Sequence, residues 1–131
     1  MGLSEDDIRE WPTTNGWHVH PQTGNRVRTG DGLELGNRVI LGDRITFGDG
    51  VTVGDDVVVG DGAVLGDGTT IGNRARLGND VQLGDGATIG DDVVLGNRVR
   101  IGDGSEVAAK TTLVDDDVVP DGWTVAGMRP V

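Results

Sequence analysis

A chain of 131 residues with Lys+Arg 11 against Asp+Glu 22, a formal net charge of −11, is one domain in size and strongly acidic. Its averaged field repels nucleic acid and anionic membrane surfaces, so neither is expected as a partner. The chain has no cysteine, which removes disulfides and thiolate chemistry.

Residues 1–22 stand outside the pattern that fills the rest of the chain and are expected to form an N-terminal cap. Ser4 can cap a helix whose first turn holds Glu5, Asp6 and Asp7, where the helix dipole favours anions. Ile8 and Trp11 would share one face and Pro12 would stop the helix, so a short amphipathic capping helix is predicted. Thr14-Asn15-Gly16 reads as a turn, and Trp17 to His20 as a short extended piece. No basic region followed by an apolar run opens the chain, and no segment reaches the length of a membrane span; a cytoplasmic protein is the expectation.

From residue 23 to residue 131 an aliphatic or Thr-type residue returns at every sixth position, usually followed by Gly and then Asp or Asn. Leu65-Gly66-Asp67 and Ile71-Gly72-Asn73 are consecutive instances, and the phase persists without Gly at Val107, Leu113, Val119 and Val125. A fixed period of this kind means a solenoid. Two positions before each anchor sits another small or branched residue, such as Ala63 before Leu65. Alternation at spacing two puts both on the inner face of a short strand and the residue between them outside. Glycine and Asx then supply the turn. A second period of eighteen distinguishes three corners. One collects Asp31, Asp49, Asp67, Asp85, Asp103 and Asp121, each followed by Gly, while the other two mix Asp and Asn. Three-sided coils of eighteen residues follow, stacked as parallel β-structure at a spacing of ~4.8 Å. Trp123 occupies an inward slot of the last coil and is expected to close the top, as Trp11 or Trp17 closes the bottom.

The aliphatic-Gly-x-x-small-x pattern resembles the hexapeptide repeat of the left-handed parallel β-helix family. That family includes acyl-CoA-dependent acyltransferases and γ-class carbonic anhydrases. The closing run from Val119 through Pro120, Asp121, Gly122 and Trp123 to Gly127 also resembles the family's last segment. The resemblance implies an all-β, left-handed, triangular solenoid of about six coils over residues 23–131, assembled as a homotrimer.

Eighteen-residue columns sort the surface. Arg38, Asp56, Arg74, Asp92 and Lys110 alternate in sign along one corner, a device that penalises slipped register. Ile40, Val58, Arg76, Val94 and Thr112 form the most apolar outward column, so Ile40, Val58 and Val94 are the candidate interface for a trimer or another protein partner. The column Thr52, Thr70, Thr88, Glu106, Thr124 is read as strand-forming Thr. Among Asp49, Asp67, Asp85 and Asp103, adjacent carboxylates can share calcium, a hard cation suited to oxygen ligands; ordinary turn chemistry explains the same residues.

A γ-class carbonic anhydrase site, as the resemblance implies it, needs three imidazoles around zinc, and the chain has only His18 and His20, both before the repeat. The acyltransferase relatives imply a histidine base between coils of adjacent subunits and often a loop that interrupts the solenoid. Here the coils hold no histidine and the phase is unbroken, so His18 and His20 are weak candidates for catalysis. The first expectation is a non-catalytic scaffold or assembly protein related to acyltransferases. The alternative is an acyl-CoA-dependent acyl- or acetyltransferase with its site between subunits and a CoA thioester as cosubstrate.

Overall fold

The computed structural model describes residues 8, 10–14 and 17–126. Nineteen strands run through them, almost all two residues long. They open with β1 (Thr13–Thr14), β2 (Trp17–Val19), β3 (Arg26–Arg28), β4 (Glu34–Leu35) and β5 (Ile40–Leu41), and end with β19 (Thr124–Val125). From β3 onward each strand pairs in parallel with the strand three further along the chain, giving three sheets that form the sides of a prism of about six coils. The register is eighteen residues throughout: Ile71 lies beside Val53 on one side and Ile89 on the other. Every outward column expected from the sequence is a row of register partners, including Ile40, Val58, Arg76, Val94 and Thr112.

The core is a single file of inward pairs. Ala63 and Leu65 are buried while Val64 between them is exposed, and the same alternation repeats through Val99 and Ile101. Small inward residues accompany large anchors, as in Ala75 with Leu77 and Ala87 with Ile89, so each triangular layer is filled without overpacking. Where the inward slot is polar, the hydroxyl finds a carbonyl. Thr69 Oγ1 donates to Gly66 O at 2.8 Å, and Ser105 Oγ to Pro120 O at 2.6 Å.

The corners use left-handed backbone in every column. In the glycine column it falls on Gly32, Gly50, Gly68, Gly86, Gly104 and Gly122. In the other two it falls mainly on charged residues, among them Arg38 (φ 58°), Asp56 (φ 60°), Arg74 (φ 61°), Asp92 (φ 60°) and Lys110 (φ 67°). An L-residue in this region costs about 1–2 kcal/mol. The turn offsets that with backbone hydrogen bonds between coils, such as Asp56 N–H to Asn37 O at 2.8 Å and Arg74 N–H to Asp55 O at 2.8 Å.

The described part of the N-terminal cap is largely β. β1 pairs antiparallel with β2, and β2 pairs antiparallel with β3, extending one side of the prism. The predicted capping helix falls mostly on residues outside those described, and no helix is delimited among the described ones. Ile8 and Glu10 have helical backbone, Ile8 is fully buried and Trp11 packs against the core. At the other end the expectation for Trp123 fails: it is 60% exposed. Trp123 lies in the last described coil, with no described strand paired beyond β19, whereas Ser105 one coil below is fully buried.

Candidate functional site

The acidic corner is a backbone ladder. Asp67 Oδ1 accepts the N–H of Asp49 at 2.7 Å, and the N–H of Asp67 donates to Asp85 Oδ1 at 2.8 Å. The Asp67 carbonyl takes the N–H of Gly86 at 2.7 Å. Asp49, Asp85 and Asp103 repeat this arrangement, so one oxygen of each carboxylate is committed to the coil below. Asn does the same work at the other corners, where Asn73 Oδ1 accepts from Asp55 and Asn79 Oδ1 from Asp61. Among the described residues no three His, Cys, Asp or Glu side chains gather as a metal ion would require. The arrangement predicts that Asp67→Asn leaves the melting temperature near that of the parent, since the acceptor oxygen is kept and a like charge is removed. Asp67→Ala strands the Asp49 N–H and should cost about 1–2 kcal/mol. Thermal denaturation of the two variants separates acceptor geometry from charge.

A second set of carboxylates is ion-paired. Arg38 and Asp56 make a two-bond fork, as do Arg74 with Asp92 and Arg98 with Asp116 at 2.8 Å and 2.7 Å for the first bond of each. Arg26 reaches Asp43 at 3.1 Å. The hydrogen-bonded guanidinium of Arg26 lowers the Asp43 carboxyl to about 2, and Arg38, Arg74 and Arg98 hold Asp56, Asp92 and Asp116 below the usual carboxylate range. A carboxyl whose folded pKa is depressed contributes stability above its unfolded value and loses it as pH falls through the folded one. Melting temperature should therefore be insensitive to these pairs from pH 7 to 5 and fall between roughly pH 4 and 2. Arg26→Gln should flatten part of that fall.

On the outward faces Ile40, Val58 and Val94 are 62%, 37% and 41% exposed, which leaves an aliphatic strip interrupted by Arg76. The adjacent outward column also exposes Val64 and Val118, with Gln82 and Arg100 between them. Arg76 and Arg100 make no ion pair with a described residue. Each borders a shallow groove, of about 420 Å³ and 400 Å³, beside a paired arginine. The grooves are copies of one another. Asp56, Arg74, Arg76, Asp92 and Val94 correspond to Asp80, Arg98, Arg100, Asp116 and Val118, each 24 residues on, which is one coil plus one face. Both grooves carry an Asn-Arg-x-Arg run, at residues 73–76 and 97–100, a run that also occurs at 25–28.

The histidines sit apart from the coils. His18 lies in β2 with its Nδ1 buried and without a hydrogen-bond partner. His20 follows the strand's end, and its Nδ1 accepts the N–H groups of Gln22 and Thr23 at 3.1 and 3.2 Å. With Nδ1 engaged as acceptor, the neutral ring carries its proton on Nε2, the form that donates there and does not abstract.

The bacterial transferase hexapeptide (six repeats) family matches residues 50–84 and 74–109. No curated protein matches the sequence. Among solved structures, PerB of Caulobacter crescentus in complex with CoA and GDP-perosamine is similar at 24% identity and TM-score 0.71, over 87% of this chain and 51% of that one. A variant of GDP-perosamine N-acetyl transferase from the same organism, with the same two ligands, follows at 23% and 0.66, over 84% of this chain and 52% of that one. A hexapeptide-repeat acetyltransferase of Vibrio cholerae is similar at 21% identity and TM-score 0.57, over 72% of this chain and 69% of that one. The chain spans about half the length of the first two, and at these identities the likeness is one of fold. The repeat is matched in sequence over residues 50–84 and 74–109, and the chain shares the β-solenoid fold of these hexapeptide-repeat acetyltransferases.

Proposed function

We propose that the chain is the β-solenoid of an acyltransferase-type protein that binds a CoA thioester along its outer faces, with subunits of a homotrimer meeting at the Ile40, Val58 and Val94 strip. The observation that carries this reading is the likeness of fold to PerB, a protein held in complex with CoA. The surface of this chain fits such a ligand. Arg76 offers an unpaired guanidinium between Val58 and Val94, a cation for a phosphate set in an aliphatic strip that can receive an apolar arm. Arg100, between Gln82 and Val118, offers a second guanidinium outside any ion pair with a described residue, one coil and one face away.

A second reading, a non-catalytic assembly scaffold, is favoured by the placement of both histidines in the N-terminal segment and by the engagement of His20 Nδ1 in its own turn. Calorimetric titration with acetyl-CoA and CoA, at an oligomeric mass fixed by sedimentation, tests the pair of readings. The thioester reading expects saturable binding at one site per subunit, weakened about tenfold by Arg76→Ala or Arg100→Ala, the loss of about 1.4 kcal/mol from a charge-assisted contact. Absence of heat across acyl chains of several lengths would leave the scaffold.

A further inference from the structure

The prism has a cleft at its N-terminal end that neither the coils nor the thioester reading uses. β5 is the end strand of its sheet among the described residues, and the cleft of about 300 Å³ opens along that edge. Ile40 and Gly42 donate their N–H groups to Val57 and Val59 in the coil above, at 2.9 and 2.8 Å. The intervening Leu41 N–H therefore faces the other way, toward the cleft. The walls are apolar: Trp11, Val27 and Val39 line it with Ile40 and Leu41.

Among the polar groups that border it are donors held in place by their own contacts. Asn25 extends its amide nitrogen to Leu41 O at 3.4 Å, leaving a second N–H on the same group. His20 is pinned by two backbone donors at Nδ1 and by the edge of Trp11, with ring centroids 4.7 Å apart, so Nε2–H is its remaining polar atom. The turn that presents both residues is closed by His20 N–H to Asn25 O at 2.8 Å and Gly24 N–H to His20 O at 3.0 Å. No carboxylate lies among the described lining residues, although the chain as a whole is strongly acidic.

We infer that this cleft is a binding site for a small carboxylic acid with an aromatic or branched apolar body. The apolar part fills the space between Trp11 and the first coil, and the carboxylate accepts from Leu41 N–H, the Asn25 amide and His20 Nε2–H. An apolar pocket of this size with a few fixed polar groups is the usual form of a small-molecule site. Three donors stand on a border that holds no carboxylate among its described residues, which suits a ligand end that only accepts hydrogen bonds. The inference does not depend on thioester binding, which concerns the grooves at Arg76 and Arg100.

Titration of the ¹⁵N-labelled full chain with phenylacetate, and separately with 2-phenylethanol, tests it. The expected result is a saturable shift of the Trp11 indole and the Leu41 and Gly42 amides, with the Trp123 indole unmoved and 2-phenylethanol at least tenfold weaker. Asn25→Leu should weaken phenylacetate about tenfold while amide dispersion over the coils is retained. Val39→Phe, which fills the cleft from its floor, should abolish the shifts. Absence of saturable shifts in the folded parent overturns the site, as do shifts spread equally over all three indoles. Equal binding of the alcohol and the acid overturns the carboxylate assignment.

Discussion

Replacing Gly66 with alanine is expected to destabilise the protein by about 3 kcal/mol and lower its melting temperature by about 10 °C, although the change adds one methyl group. The reason is the stacking of the coils and not the conformation of the glycine itself. A Cβ at position 66 would stand 2.7 Å from the backbone nitrogen of Asp85 and 2.7 Å from the carbonyl carbon of Gly84 in the coil above, besides meeting Asp85 Oδ1. Backbone cannot rotate aside as a flexible side chain would, and moving it opens the ladder through Asp67 and Asp85. The turn's other glycine behaves oppositely. Gly86 has φ +68° with nothing near its missing Cβ, and Asp56, Arg74 and Lys110 adopt the same backbone at other corners. Gly86→Asn should therefore stay within about 1 kcal/mol of the parent, since Asn tolerates left-handed backbone. The first-turn glycine is given up at Ala108, Val114 and Pro120, in the last described coils, and the Ala108 N–H still bonds Val125 O at 2.8 Å. Denaturation melts of the two variants decide the matter; equal losses would mean that left-handed φ, and not the close approach, explains the repeat's glycines.

The eighteen-residue columns were legible because register leaves a trace in composition: the Asp-Gly corner differs from the two mixed ones, and Thr70 beside Thr88 is a contact readable from spacing alone. The left-handed backbone at Arg38, Asp56 and Arg74 was not legible, because these residues are uncommon there and only the ladder above and below stabilises them. Asp67 shows a similar limit. Its spacing marks a turn, but the engagement of Oδ1 by the coil below is a contact between residues eighteen apart. Trp17 to Val19 read correctly as extended, whereas the pairing of β2 with both β1 and β3 needed the fold. Trp123 was misplaced: its slot, unlike that of Ser105 one coil below, has no described strand beyond it. Of the candidate surface, the strip of Ile40, Val58 and Val94 was visible from alternation; the cleft under β5 was not, because it depends on where one sheet stops.

Position along the axis should govern what a core deletion does. Ile71 is 1% exposed and packed between Val53 and Ile89 in a file with no second layer behind it. Ile71→Ala should cost about 3–4 kcal/mol, within the range for emptying a buried aliphatic site. In a solenoid each coil contacts only its neighbours, so the lesion also weakens the coupling between the coils on either side. Unfolding should then broaden, and hydrogen exchange should report the Thr46 to Phe47 and Arg100 to Ile101 strands opening at different free energies. Val119→Ala, also at a buried anchor but in the end strand of its sheet among the described residues, removes less surface and has no described strand to uncouple beyond it. Its cost should be about 1–2 kcal/mol, expressed as earlier exchange of the terminal strands while the middle of the prism keeps its protection. A single sharp transition with equal losses for both variants would show that the prism unfolds as one unit, and that its coils are coupled more strongly than nearest-neighbour stacking explains.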